Sequence, residues 1–585
     1  MFPSGLITIL IVILLVIVLY KDLLRPSFAF LGAVFILLVF QIITPDEFLM
    51  GLANKQIIVI FLLIGLTSGI QQNIGTGFFF KIFSQKLKPG TFRIRLMLLV
   101  SSLSAILNNT PVVAFMIPYV KEWTKTNKFP ASKFLIPLSY STILGGMITV
   151  VGTSTNLVLN GLISQFGYPM LGFEDFLYLG VLVATIGMVY LSIASNYLLP
   201  SREENKSEVI DHLNEYLVET YLPMDSKMHD KTVKEAGLRQ LKEIFLAEIR
   251  RGKKEISPVG PNEILQKGDK LFFAGNSEAI LKLIQEENGL SLPEDGHVSN
   301  YGFFQLTEAV VPTSSSLIGI KVKDSDFRNK YQGSIISIHR NGTQLKGNIG
   351  ETKVHAGDLF LMLTGKDHNR NDYYKDLIIV TLRGEISTDR GNLKRLPSLL
   401  ALAVLFTGII GWIDLFVAAF AGILTLYLFK VLNLQTLKKA VDLDLLLILV
   451  CSLSLGLALN KSGAANVLVN LLIQLTDGSG VMVALVLLFI LTLILTSLIT
   501  NAAAVSIMFP IALELGNQLE QPLTPFFVAI AFAASGDFMT PIGYQTNLMV
   551  MGPGNYKFRD YFVIGFPLTL IYSVVVLCFI NWYYL

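Results

Sequence analysis

The chain has 585 residues, 52% of them hydrophobic and only 15% charged, with a mean hydropathy of +0.59. Soluble domains are nearer a quarter charged, so this composition points to a membrane protein. A net charge of +3 is too small to suggest nucleic-acid binding, and no basic stripe carries interleaved aromatics.

In chain order, the first apolar run, Met1 to Tyr20, lacks a basic leader and a small-residue cleavage site, so it reads as a membrane helix rather than a removed signal. Further apolar runs follow around 27–43, 56–72, 94–120, 132–163 and 176–199. The segment Ser201 to Arg395 then holds 28 of the 46 Lys and Arg and 29 of the 43 Asp and Glu. One third of the chain thus carries about two thirds of the charge, which marks a soluble insert. Apolar runs resume around 397–430, 443–475, 480–513, 524–534 and 561–585. A span takes about 20 apolar residues, so the longer runs must break or turn back. Pro111, Pro118, Gly145, Gly146 and Gly152 interrupt the first half; Pro510, Gly536, Pro541 and Gly543 interrupt the second. Irregular backbone at membrane depth is tolerated where it is buried in protein or lines a cavity.

The halves match each other. Leu107-Asn108-Asn109-Thr110-Pro111 through Pro118 aligns with Ile499-Thr500-Asn501-Ala502-Ala503 through Pro510, keeping Asn, Met and Pro at the same spacing. Gly152-Thr153-Ser154-Thr155-Asn156 aligns with Gly543-Tyr544-Gln545-Thr546-Asn547, and the first-to-second Asn distance is 47 residues against 46. Paired, interrupted segments in corresponding positions point to the site of a secondary transporter. Unwound helices there offer N–H groups to an anion and C=O groups to a cation. Interhelical glue is the simpler role for a lone Asn, but two Asn in duplicated frames favour a site. Cys451 and Cys578 lie far apart in apolar segments and read as plain buried thiols.

These motifs resemble the divalent-anion:sodium symporter family over roughly 1–200 and 395–585, with Asn108-Asn109-Thr110 and Thr500-Asn501-Ala502 standing where that family has Ser-Asn-Thr. The resemblance implies a polytopic α-helical membrane protein: an inverted repeat with re-entrant hairpins and broken helices, homodimeric and working by an elevator-type motion. It implies one sodium site from Ser104, Asn108, Asn109 and Gly152. A second would use Thr496, Ile499, Asn501 and Gly543, with substrate at Asn109, Thr110, Thr153, Asn501 and Tyr544. Two departures, Ala502 for a hydroxyl residue and Tyr544 in the second loop, resemble the sulfate-permease-like branch and favour a small inorganic anion, sulfate, over a C4 dicarboxylate.

The insert holds a second duplication. Ile249-Arg250-Arg251 before Lys267-Gly268-Asp269 parallels Ile338-His339-Arg340 before Ala356-Gly357-Asp358. With short strands and turns such as Asn341-Gly342, it reads as α+β. The two units resemble tandem RCK C-terminal domains, which implies a small-molecule or nucleotide effector. Gly268-Asp269 and Gly357-Asp358 read as tight turns, and His339, His355 and His368 as surface residues. Arg390, Lys394 and Arg395 beside the membrane place the insert in the cytoplasm.

The expected organisation is a first transmembrane repeat over 1–200, soluble domains over 201–295 and 296–394, and a second transmembrane repeat over 395–585, in a cell (inner) membrane. Asp537, inside an apolar segment, keeps a cation- or proton-coupled antiporter open beside the symporter; its aligned partner is Gly146. A potassium channel would need a repeated TVGYG-type filter, and Thr149-Val150-Val151-Gly152-Thr153 occurs once. No P-loop, Ser/His/Asp or Zn-spaced motif suggests an enzyme.

Overall fold

The computed structural model describes residues 4–585 except 22, 25, 53, 72–86, 203–216, 223–225, 239–243, 253, 257–258, 276–289, 291–303, 313–314, 332, 341–342, 346–348, 366–375, 381–394, 433–442, 477–479 and 542. Asn341-Gly342, His368, Arg390 and Lys394 therefore lie outside the described residues. The chain forms two compact units: Met1–Ser201 with Gly384–Leu585, and Arg202–Arg383.

The first unit is helical. Its first half runs α1 Ser4–Tyr20, α2 Pro26–Val39, α3 Pro45–Leu52, α4 Lys55–Gln71, α5 Pro89–Ser104, α6 Asn109–Thr126, α7 Leu135–Gly146, α8 Ser154–Gln165 and α9 Phe173–Tyr197. Its second half runs α10 Arg395–Ile410, α11 Leu415–Leu428, α12 Leu443–Lys461, α13 Ala464–Thr476, α14 Val481–Leu498, α15 Asn501–Gln518, α16 Thr524–Ser535, α17 Gln545–Met551 and α18 Phe558–Tyr583. From α5 to α9 the helices have 16, 18, 12, 12 and 25 residues; from α14 to α18 they have 18, 18, 12, 7 and 26. The order of long and short helices is the same in both halves.

Among the described residues, α9, α14 and α18 are long and apolar enough to cross a membrane singly, and Leu446–Lys461 with Ala464–Gln474 forms a pair bent by 69°. On α18 the side chains of Phe558, Phe562, Phe566, Leu570 and Val574 face outward, while Tyr561, Ile564, Leu568, Tyr572 and Val576 are buried. Both faces are apolar, so the outer one matches lipid rather than water. Cys578 is exposed on this helix, which corrects the expectation of two buried thiols; Cys451 is buried, and both are free. Pro118 in α6 and Pro510 in α15 each remove a helical hydrogen bond at the same place in the two halves.

The second unit contains two sheets. One has the order β1 Leu217–Tyr221, β4 Lys270–Gly275, β2 Ile244–Arg251, β3 Lys254–Ile256. The other runs β7 Thr343–Gln344, β6 Gly333–Arg340, β8 Leu359–Gly365, β5 Phe304–Val310, β9 Ile378–Ile379. Leaving out β9, the second order reversed repeats the first, and β2 and β6 carry an irregularity at the same place, Leu246/Glu248 and Ile335/Ser337. Gly268 and Gly357 take positive φ of 79° and 82° in the turns before β4 and β8, conformations that favour glycine. His355 is exposed, but His339 is half-buried on β6, and burial lowers its pKa while Glu308 opposes the shift.

Candidate functional site

Each half of the membrane unit builds a polar pocket from the same parts. In the first, α5 ends at Ser104, whose hydroxyl donates to Oδ1 of Asn109 at the start of α6. In the second, near the end of α14, Thr496 Oγ1 donates to Oδ1 of Asn501 at 2.8 Å. The later break repeats the scheme. Gly152 N–H donates to Thr149 Oγ1 at 3.1 Å and Asn156 Nδ2 to Thr149 O at 3.1 Å. Gly543 N–H donates to Thr540 Oγ1 at 3.3 Å and Asn547 Nδ2 to Thr540 O at 3.1 Å. A Thr three residues before a Gly and seven before an Asn therefore pins both loops. Thr149, Thr540 and the positioning role of Asn156 and Asn547 were not picked out from sequence; the shared Thr-x-x-Gly-x-x-x-Asn spacing is the signal that carries them.

Gly152 and Gly543 allow the closest approaches. A Cβ at Gly152 would stand 2.7 Å from the Ser104 carbonyl oxygen and 2.5 Å from that of Gly146. At Gly543 it would stand 2.8 Å from the Thr496 carbonyl oxygen and overlap Oδ2 of Asp537. Each glycine thus faces a small oxygen-lined cradle at the C-terminal ends of two helices, α5 and α7 or α14 and α16. That end of a helix dipole favours cations.

Helix N-termini supply the opposite polarity. The starts of α6, α8, α15 and α17 have no side-chain cap, and the positive end of a helix dipole favours an anion. They meet through Tyr544. Asn109 Nδ2 donates to its phenol oxygen at 2.9 Å, Thr153 Oγ1 lies 3.4 Å from it, and Asn501 stands close by. Thr110 Oγ1 donates to Gln545 Oε1 at 3.1 Å. Residues 435 apart in sequence are thereby joined, and the packing of α17 on α6 and of α8 on α15 explains how. Asn109, Thr110, Thr153, Asn501 and Tyr544 come together in one cluster. Asn108 and Ile499 stand instead in the chain breaks just before α6 and α15: Asn108 is extended without a cap bond, and Ile499 is extended after the end of α14.

Asp537 is 0% exposed. Ser497 Oγ donates to its Oδ1 at 3.1 Å and Thr540 Oγ1 to its Oδ2 at 2.8 Å. Asp414 caps α11 by accepting from Phe416 N–H at 3.0 Å and pairs with Lys55 at 2.5 Å.

This frame of paired breaks matches known transporters. A family profile described as "Citrate transporter" matches residues 9–515 and 401–585. The chain belongs to the citrate transporter family. It is 30% identical to a Chlamydomonas reinhardtii protein named provisionally as a sulfur deprivation response regulator, over 92% of this chain and 95% of that one. An uncharacterized transporter of Synechocystis is 29% identical over 92% of this chain and 90% of its own length. Sodium/sulfate cotransporter 1 of Chlamydomonas reinhardtii is 22% identical over 98% of this chain and 89% of its own. The protein is a membrane transporter of this family.

In the second unit, Asp269 and Asp358 do more than turn the chain. Arg251 grips Asp269 through Nε and Nη2, both at 2.9 Å, and Arg340 grips Asp358 at 2.7 and 2.8 Å. The same guanidinium groups donate to the Ile264 and Lys353 carbonyls at 2.7 and 2.8 Å. Sequence showed the duplicated Arg and Asp, but not that they pair, because 18 residues and a strand separate them.

Proposed function

We propose that this transporter is a sodium-coupled symporter of a small divalent anion, sulfate before others, with sodium in the two glycine cradles and the anion between Asn109, Thr110, Thr153, Asn501 and Tyr544. The observation that carries this reading is the meeting of uncapped helix N-termini around neutral polar side chains, between two clusters of helix C-terminal carbonyls. Such a frame suits an anion flanked by cations without a buried Arg or Lys. Tyr544 argues for a small cargo: its phenol already occupies the span between Asn109 and Thr153. The sodium/sulfate names of relatives agree, whereas the family's description names citrate.

The two halves would act as an inverted repeat with re-entrant hairpins in an elevator-type homodimer in the cell membrane. The Arg202–Arg383 unit, read as tandem RCK C-terminal-like domains in the cytoplasm, would bias the transport equilibrium on binding a small effector.

Radiolabelled sulfate uptake into proteoliposomes holding the purified full chain, with and without an inward sodium gradient, tests the reading. Sodium-driven sulfate uptake that succinate leaves unchanged is expected. Succinate uptake without sulfate uptake would move the cargo to dicarboxylates and keep the site. Uptake driven by a pH gradient alone would replace symport by proton-coupled exchange around Asp537.

A further inference from the structure

The cradles are geometrically matched but chemically unequal. At Gly152 the second wall is the Gly146 carbonyl; at Gly543 it is the Asp537 carboxylate, the residue aligned with Gly146. We infer that Asp537 is a charged ligand of a sodium site formed with the Thr496 carbonyl at Gly543, and that this site fills before the anion arrives. The inference rests on the symport reading and adds an order of binding to it.

Three observations support it. The Asp537 Oδ2 and Thr496 O atoms face one point, because a single Cβ on Gly543 would press on both. The carboxylate is wholly enclosed and has two hydroxyl donors, yet no ion pair among the described residues includes it. Four other buried carboxylates differ from it: Asp269, Asp358, Asp376 and Glu248 each have an Arg or Lys partner. A buried charge without a counter-charge costs several kcal/mol, and a cation in the cradle removes that cost. The first cradle offers carbonyl, amide and hydroxyl oxygens but no carboxylate, so a cation there lacks a fixed counter-charge and gains one when a divalent anion occupies the space beside Asn109. The charged cradle therefore loads alone, and the neutral one loads with the anion.

The test is sodium binding by the full-length protein in nanodiscs, using ²²Na with choline as the replacement cation and without sulfate. One sodium per chain is expected without sulfate and a second once sulfate is added. Asp537→Asn should lower sulfate-free sodium affinity about tenfold or more, with folding checked by size-exclusion profile and melting temperature. Gly543→Ala, which fills the cradle and leaves the charge, should do the same. No sulfate-free binding by the wild type, or two equivalent sodium ions, would overturn the inference without any variant. So would D537N binding sodium like the wild type. If sulfate were never transported yet the single sodium were lost in D537N, the cargo assignment would fail and the sodium site would stand. Sodium-driven sulfate uptake with unchanged sodium dependence in D537N would do the reverse.

Discussion

The pocket around Asn109 and the pocket around Asn501 are assembled from the same sequence of parts: a helix C-terminus with a hydroxyl, an Asn opening the next helix, and a Thr-pinned glycine loop. Two of their differences matter most. Gly146 aligns with Asp537, and Thr153 with Tyr544. The first change alters charge in a cradle; the second sends an aromatic ring across to the other half, where it meets Asn109. The duplicated sheets of the Arg202–Arg383 unit show the contrary behaviour, since both retain an Arg–Asp pair with the same partners. A pair that only stabilises a turn has no reason to diverge. A pair of pockets that must hold different things does.

The largest expected effect tests whether the pockets are equally needed. Asn109→Ala and Asn501→Ala should each bring sodium-driven uptake to background while the protein keeps its elution profile and melting temperature. Normal transport by either variant at low sodium would break the site assignment. The conserved pair in the sheets comes next. Arg251→Ala and Arg340→Ala leave a buried carboxylate without its cation, at about 3–5 kcal/mol each. Hydrogen exchange in the full chain should show β2 and β4 loosened by the first, β6 and β8 by the second. Equal loosening of both sheets by one variant would contradict two separate cores.

Asp376 separates the two sheets, since its contacts lie in the second. Burial would raise its pKa, but hydrogen bonds from Tyr331 at 2.5 Å, Lys330 at 2.9 Å and Ser316 N–H at 2.6 Å outweigh that and hold it at about 2. A depressed carboxylate pKa gives stability that is present above the unfolded value, near 4, and lost as pH falls towards 2. Asp376→Asn should therefore weaken protection of β5 and β8 at neutral pH by about 1–2 kcal/mol, after allowing for the solvent-facing Lys330. The gap from wild type should close between about pH 4 and 2. The smallest effect concerns the asymmetric ring. Tyr544→Phe removes one hydrogen bond to Asn109, worth about 1 kcal/mol. It should raise the sulfate KM about fivefold with little change in the sodium dependence. An unchanged KM would remove Tyr544 from the anion site.

Composition and hydropathy were enough to separate a membrane unit from a charged insert, because lipid demands long apolar runs and a soluble unit does not tolerate them. Internal comparison located Asn109, Asn501, Gly152 and Gly543, because the backbone breaks need Gly, Pro and Asn at fixed spacing. It also paired Gly146 with Asp537 as letters in an alignment. Which carbonyl each glycine faces, that Asp537 lies against Gly543, and that Tyr544 belongs to the opposite half's cluster were decided only by folding. The helices that carry them, α6 with α17 and α8 with α15, are hundreds of residues apart and are brought together by packing. Local pattern encodes where a helix must break; only tertiary contact determines what the broken ends confront.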